Sequence, residues 1–175
     1  HTALLTLGIG QGDEVIVPPL TMSSTCLSVL QAGAIPVFAD VDPNTFTLNP
    51  ESVRRNLSTR TKAMIPVSLY GLAPDYDALR AICDESKIAM IEDNAECFLG
   101  EYKGRLVGQF GEFASYSFQA SKHMTCGNGG MLTVNDEELA DRARKIANLG
   151  YATVGAKVHN ISKNDVQDPN FSRHV

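Results

Sequence analysis

Residues 88–93 read Ile-Ala-Met-Ile-Glu-Asp, a run that is apolar without alternation and ends in two carboxylates. Such a run is too short for a helix and suits a strand covered on both faces, the kind found in parallel sheets. Working outward, five further runs have the same character: Glu14–Val17, Pro36–Ala39, Lys62–Val67, Phe113–Phe118 and Gly130–Val134. Helical patterns fall between several of them. Asn49 can cap a helix with Pro50 at its first position, and Pro74 opens a second whose Leu79, Ile82 and Cys83 share one stripe. A third is expected from Asn135, with Glu138 placed as in a capping box and Leu139, Arg142, Ala143 and Ile146 following. Strands alternating with helices predict an α/β layered domain with a largely parallel sheet.

Composition sets the outer bounds. The 175 residues leave room for about one domain, and 43% hydrophobic with 20% charged residues is ordinary for a globular protein. Disorder, collagen-like repeats and coiled coil are excluded as readings of the whole chain. Lys and Arg number 15 against 20 Asp and Glu, and the net charge of −5 gives no broad basic surface for nucleic acid or anionic lipid. A small phosphorylated ligand stays open. Cys26, Cys83, Cys97 and Cys126 form no CxxC pair, so a reducing cytoplasm is the simplest compartment. No apolar run reaches the roughly 18 residues of a membrane span. Residues 151–175 turn polar and lose periodicity, as either a binding loop of a larger protein or a tail. The chain opens on His1 and is expected to be a fragment.

Glycine clusters first suggest nucleotide binding. Gly8, Gly10 and Gly12 precede a strand, whereas the dinucleotide fingerprint follows one and opens a helix, so they read as a helix stop and turn. Gly127, Gly129 and Gly130 also precede a strand, and no GKS or GKT occurs. For metal, His123 and Cys126 form a single His-x-x-Cys pair without a second, and no metal is expected. Thr21–Thr25 is read as a helix cap rather than as a source of a nucleophile.

The informative set is acid, serine and lysine. Ligands of open α/β sheets bind beyond the carboxyl ends of strands. Asp93 and Ser117 end two expected strands, and Lys122 follows before the glycine-rich loop. If those strands are neighbours, the three converge in one crevice. There an acid can hold a ring nitrogen protonated, a hydroxyl can take a phosphate, and a lysine can condense with a carbonyl. On the residues alone the plainer reading is that Asp93 caps a turn and Lys122 is a solvated surface group.

Five blocks in order alter that balance: GIGQGDEVIVPPLTMSS (8–24), AGAIPVFADVDP (32–43), TRTKAMIPVSLYG (59–71), EDNAECFLGEYKGRLVG (92–108) and SYSFQASKHMTCGNGGMLTVNDEE (115–138). Together they resemble the DegT/DnrJ/EryC1/StrS family of pyridoxal-phosphate-dependent sugar aminotransferases. The resemblance implies the three-layer, aspartate-aminotransferase-like large domain, with a mostly parallel mixed sheet covered by helices. It implies pyridoxal 5′-phosphate as cofactor, a nucleotide-linked keto sugar and glutamate as substrates, and a homodimer with shared active sites. Residues 1–150 would be most of the cofactor-binding large domain, and 151–175 a polar loop leading toward a small C-terminal domain. The family's Ser-Gly-Thr turn is expected before His1 and its Tyr-Asn-Tyr-Arg motif after Val175.

By the same resemblance, Lys122 is the catalytic lysine that condenses with the cofactor, Asp93 pairs with the pyridinium nitrogen, and Ser117 contacts the phosphate. Glu96 stands where the family usually has a glutamine near the ring hydroxyl, and Met22 where an aromatic residue commonly covers the ring. A carboxylate at Glu96 would repel an ionised ring oxygen unless protonated, displaced or paired. Met22 offers polarisable contact without stacking, or packs in the core. Asn128 replaces the usual acid of the glycine loop. Two alternatives remain. One is a related sugar 3-dehydratase, against which Lys122 argues because such relatives generally carry His there; the other is a regulatory relative without catalysis.

Overall fold

A computed structural model describes residues 1–148; the polar stretch 151–175 lies outside the described residues. The elements run α1 (Thr2–Thr6), β1 (Glu14–Val17), α2 (Ser24–Gln31), β2 (Ile35–Phe38), α3 (Pro50–Asn56), β3 (Thr61–Met64), α4 (Tyr76–Ser86), β4 (Ala89–Asp93), β5 (Glu101–Tyr102), β6 (Arg105–Leu106), β7 (Phe113–Ser117), β8 (Gly130–Val134) and α5 (Glu137–Ala147). Six strands form one sheet in the order β2-β1-β3-β4-β7-β8. All neighbours are parallel except β7 and β8, which are antiparallel. The mixed, mostly parallel sheet is therefore present as expected, and β4 does lie beside β7.

Period-two alternation divides the core between two faces. Val15, Val17, Ile65 and Ile91 pack on one side with Leu4 of α1, Val29 of α2 and Ala143 of α5. Ile16, Met64 and Met90 pack on the other with Val53 of α3 and Leu79 and Ile82 of α4. Helix, sheet, helix is the three-layer arrangement, and it explains why the central strands read as continuous apolar runs. The edge strand β2 differs: Ile35 and Phe38 are exposed, and its Pro36 is tolerated because an edge leaves one row of N–H groups unused.

Helix starts follow from local chemistry. Asn49 Oδ1 accepts from Glu51 N and Ser52 N, with Pro50 behind it. The second helix starts two residues later than expected, because Asp75 is its cap and accepts from Ala78 N at 3.2 Å. For α5 the cap is Asp136 rather than Asn135, accepting from Leu139 N at 2.8 Å. The expected strand 62–67 stops at Met64 because Pro66 has no N–H to continue the ladder; Val67 rejoins as a single parallel bridge to Asp93. Gly8 (φ 75°) and Gly12 (φ 91°) shape the turn after α1, as expected.

Candidate active site

The parallel strands deliver their carboxyl ends to one side. In the β4–β7 register Asp93 faces Ser115, and in the β7–β8 register Ser117 faces Gly130. A hollow of about 600 Å³ opens there, lined among others by Thr25, Asp93, Ser115 and Ser117. A smaller hollow beside it is lined by Glu96, Ser117, Lys122 and His123. Ala95, Tyr116 and Ser117 border both. Asp93 and Lys122 thus approach Ser117 from two sides.

Each group is fixed by its local chain. Asp93 N donates to Pro66 O and Ser68 N donates to Asp93 O, both at 2.9 Å, so the strand end is tied to the segment after β3. Its Oδ1 accepts from Ala95 N at 3.2 Å and its Oδ2 from Thr25 Oγ1 at 2.8 Å. Asp93 does cap a turn through Ala95, while its other oxygen faces a different element. Burial pushes the Asp93 carboxyl above the usual carboxylate range; the Thr25 hydroxyl, the Ala95 N–H and the Lys122 charge draw it back, and Glu96 adds to the upward push.

Lys122 sits in a loop closed at its base. Phe118 N donates to Gly129 O at 2.8 Å, and Phe118 O accepts from Cys126 N at 3.0 Å. Lys122 N donates to Gln119 O at 2.9 Å, and Gln119 N donates to Ser117 Oγ at 3.3 Å. At Gly130 the chain passes so near β7 that a Cβ would lie 2.8 Å from Tyr116 O, so this position demands glycine. The Lys122 side chain is 22% exposed and its Nζ lies 3.6 Å from Glu96 Oε1. The solvated-surface alternative for Lys122 does not describe that setting.

Glu96 is paired, one of the conditions under which a carboxylate is tolerable at this position. Its Oε2 also accepts from Tyr70 N at 3.2 Å. Tyr70 is itself in a left-handed conformation (φ 53°), uncommon for an aromatic residue, beside Gly71 (φ 86°). Met22 is not brought in: it is 70% exposed in the turn before α2 and lines neither hollow, so it is not core either.

Sequence reasoning missed two features. Thr21–Thr25 was expected to cap a helix, yet Ser23 occupies the cap position without a side-chain bond and Thr25 gives its proton to Asp93. The available signal was position, since a hydroxyl in the first turn after a central parallel strand faces the same crevice. The second is Glu92, which turns away from the site and is fully buried. Among the described residues no group of three or more His, Cys, Asp or Glu is placed to hold a metal ion, and no helix is long and apolar enough to cross a membrane.

The chain and its fold have known counterparts. Residues 1–165 match the DegT/DnrJ/EryC1/StrS aminotransferase family. The chain belongs to that family. It is 44% identical over 147 residues to a UDP-2-acetamido-2-deoxy-3-oxo-D-glucuronate aminotransferase of Pseudomonas aeruginosa, covering 83% of this chain and 41% of that protein. Among solved structures it resembles an aminotransferase from Psychrobacter cryohalolentis at 40% identity and a TM-score of 0.86, over 92% of this chain and 42% of that one. It also resembles a Bacillus subtilis protein, NtdA, solved with bound cofactor PMP, at 31% identity and a TM-score of 0.82, over 93% of this chain and 37% of that one. The chain spans about 40% of the length of the curated relatives it matches.

The expected cofactor of this family, pyridoxal 5′-phosphate, fits the residues present. Asp93 is a partly buried carboxyl, pushed up by desolvation, that gains from a cationic neighbour, as a protonated ring nitrogen would be. Lys122 supplies an amine in a sheltered position. Ser117 Oγ accepts from Gln119 N and keeps a proton to give to a phosphate oxygen.

Proposed function

We propose that this chain forms the cofactor-holding part of a pyridoxal-phosphate-dependent aminotransferase that aminates a nucleotide-linked keto sugar, with glutamate as amino donor. The carrying observation is that Asp93 and Lys122 line two adjoining hollows that share Ser117 at the carboxyl end of the sheet. When bound, pyridoxal 5′-phosphate supplies an electron-poor ring that makes a neighbouring carbon acidic. Asp93 would bind the ring nitrogen and keep it protonated. Ser117 would hold the phosphate, and Lys122 Nζ would attach the cofactor and then move the proton between donor and acceptor carbons. Glu96, through its 3.6 Å contact, would orient that amine.

The name of the Pseudomonas relative, which carries a 3-oxo sugar on UDP, supports the substrate class. Lys122 supports net amine gain over the 3-dehydratase alternative. Residues 1–150 would be most of the large domain, with 151–175 leading toward a second, smaller one. A second subunit would complete the site, giving a homodimer with shared active sites.

The test is borohydride reduction of the full-length, cofactor-loaded protein followed by peptide mapping. The pyridoxyl label should sit on Lys122; a label elsewhere, or none, overturns the assignment. Incubation with a keto-sugar nucleotide and glutamate should then yield an amino sugar, whereas a deoxygenated product without nitrogen would establish the dehydratase.

A further inference from the structure

The Asp93 carboxylate receives one hydrogen bond from its own turn and one from far away in the chain. The distant donor, Thr25, stands in the first turn of α2, buried, with its Oγ1 2.8 Å from Asp93 Oδ2. Thr21 Oγ1 lies 3.4 Å from Thr25 Oγ1. A hydroxyl has one proton and can accept two. An ionised carboxylate only accepts, so Thr25 must give its proton to Asp93 and Thr21 must give its own to Thr25. The order Thr21 to Thr25 to Asp93 is thus the one that suits an ionised acid.

We infer that Thr25 is a positioning residue for Asp93, holding its carboxylate as the acceptor that a cationic ring nitrogen requires. The inference rests on the reading of the site proposed above. Thr25 is the second residue of α2, inside the cap position held by Ser23, so its hydroxyl is free to turn from its own helix to the end of a strand. Burial pushes Asp93 toward its protonated form, and the Thr25 bond is foremost among the influences that oppose this. Without the hydroxyl, the acid would rest on the single Ala95 N–H at 3.2 Å.

The test is titration of the full-length protein, stripped of cofactor, with pyridoxal 5′-phosphate, followed by visible absorbance. Thr25→Val removes the hydroxyl at nearly constant volume and should weaken binding about 10- to 100-fold, the scale of a hydrogen bond to a charged group. Thr25→Ser should restore affinity to within about threefold of wild type. In a D93N background Thr25→Val should cost no more than about twofold, because the carboxylate charge it acts through is gone. Wild-type affinity in Thr25→Val, or the same loss in both backgrounds, overturns the inference; Thr25→Ala replaces Val if the latter fails to fold. A wild-type protein that binds no pyridoxal 5′-phosphate overturns the reading of the site, and the role of Thr25 with it.

Discussion

Glu92 and Asp93 are chain neighbours at the end of β4, and the strand sends their side chains to opposite faces. On one face Glu92 is completed by its own chain: Gly108 N, Phe110 N and Gly111 N donate to it at 2.5, 2.7 and 2.8 Å, and Asn94 Nδ2 at 3.3 Å. It organises the loop that leads into β7. On the other face Asp93 receives one hydroxyl and one backbone N–H and is pushed toward protonation by burial. A buried carboxylate with every acceptor site filled holds a fold together; one left short of partners is available to a cation from outside. The two residue types are nearly the same, and the difference lies in how many donors the surrounding chain aims at each.

The largest effect should come from Glu92. Glu92→Gln removes the charge and turns an NH₂ toward backbone donors, leaving buried N–H groups without an acceptor. At about 1–3 kcal/mol for each orphaned group, a loss of about 3 kcal/mol or more is expected. Urea denaturation of the cofactor-free protein measures it. An unchanged midpoint would break the contrast at its structural end.

Asp93→Asn should do the opposite. A carboxyl held above its ordinary range imposes no cost below its unfolded pKa, near 3.9, and its full cost once pH exceeds the folded value. The cofactor-free wild type should therefore lose stability through this group as pH rises across that window, and Asp93→Asn should remove the dependence. At neutral pH the variant should melt no lower than wild type, and its affinity for pyridoxal 5′-phosphate should fall by at least about tenfold. Paired thermal melts at acid and neutral pH test it; a variant destabilised as severely as Glu92→Gln would place both carboxylates in the same structural role.

How much of this was visible in the sequence follows from the same contrast. The six strands of the sheet and the alternation of strand and helix were legible, because burial of both sheet faces writes itself as short apolar runs. Asp93, Ser117 and Lys122 could be brought together because each sits at or just past a strand end. The structural role of Glu92 was not legible, since the loop at 108–111 that completes it depends on tertiary contacts with no periodic signature. Thr25 was hidden for a related reason: a run of hydroxyls at a helix start reads as a cap, and only the distance to Asp93 shows Thr25, inside the first turn, serving another element. The short strands β5 and β6, two residues each, offer no alternation to count.

Glu96 should show the smallest effect, and it decides where the boundary between the two kinds of carboxylate runs. It contacts Lys122 at 3.6 Å with both side chains partly exposed, and accepts from Tyr70 N at 3.2 Å. Partly exposed ion pairs are worth about 0.2–1 kcal/mol and weaken with salt. Glu96→Gln keeps an oxygen for Tyr70 N–H and drops only the charge, so its stability should lie within about 1 kcal/mol of wild type and respond less to added salt. Melting curves at about 0.1 and 1 M salt, between which the screening length falls roughly threefold, read both quantities. A loss comparable to that of Glu92→Gln would assign Glu96 to the scaffold. A small, salt-sensitive difference keeps it with Asp93, as a charge whose neighbour is the Lys122 amine rather than the backbone of its own fold.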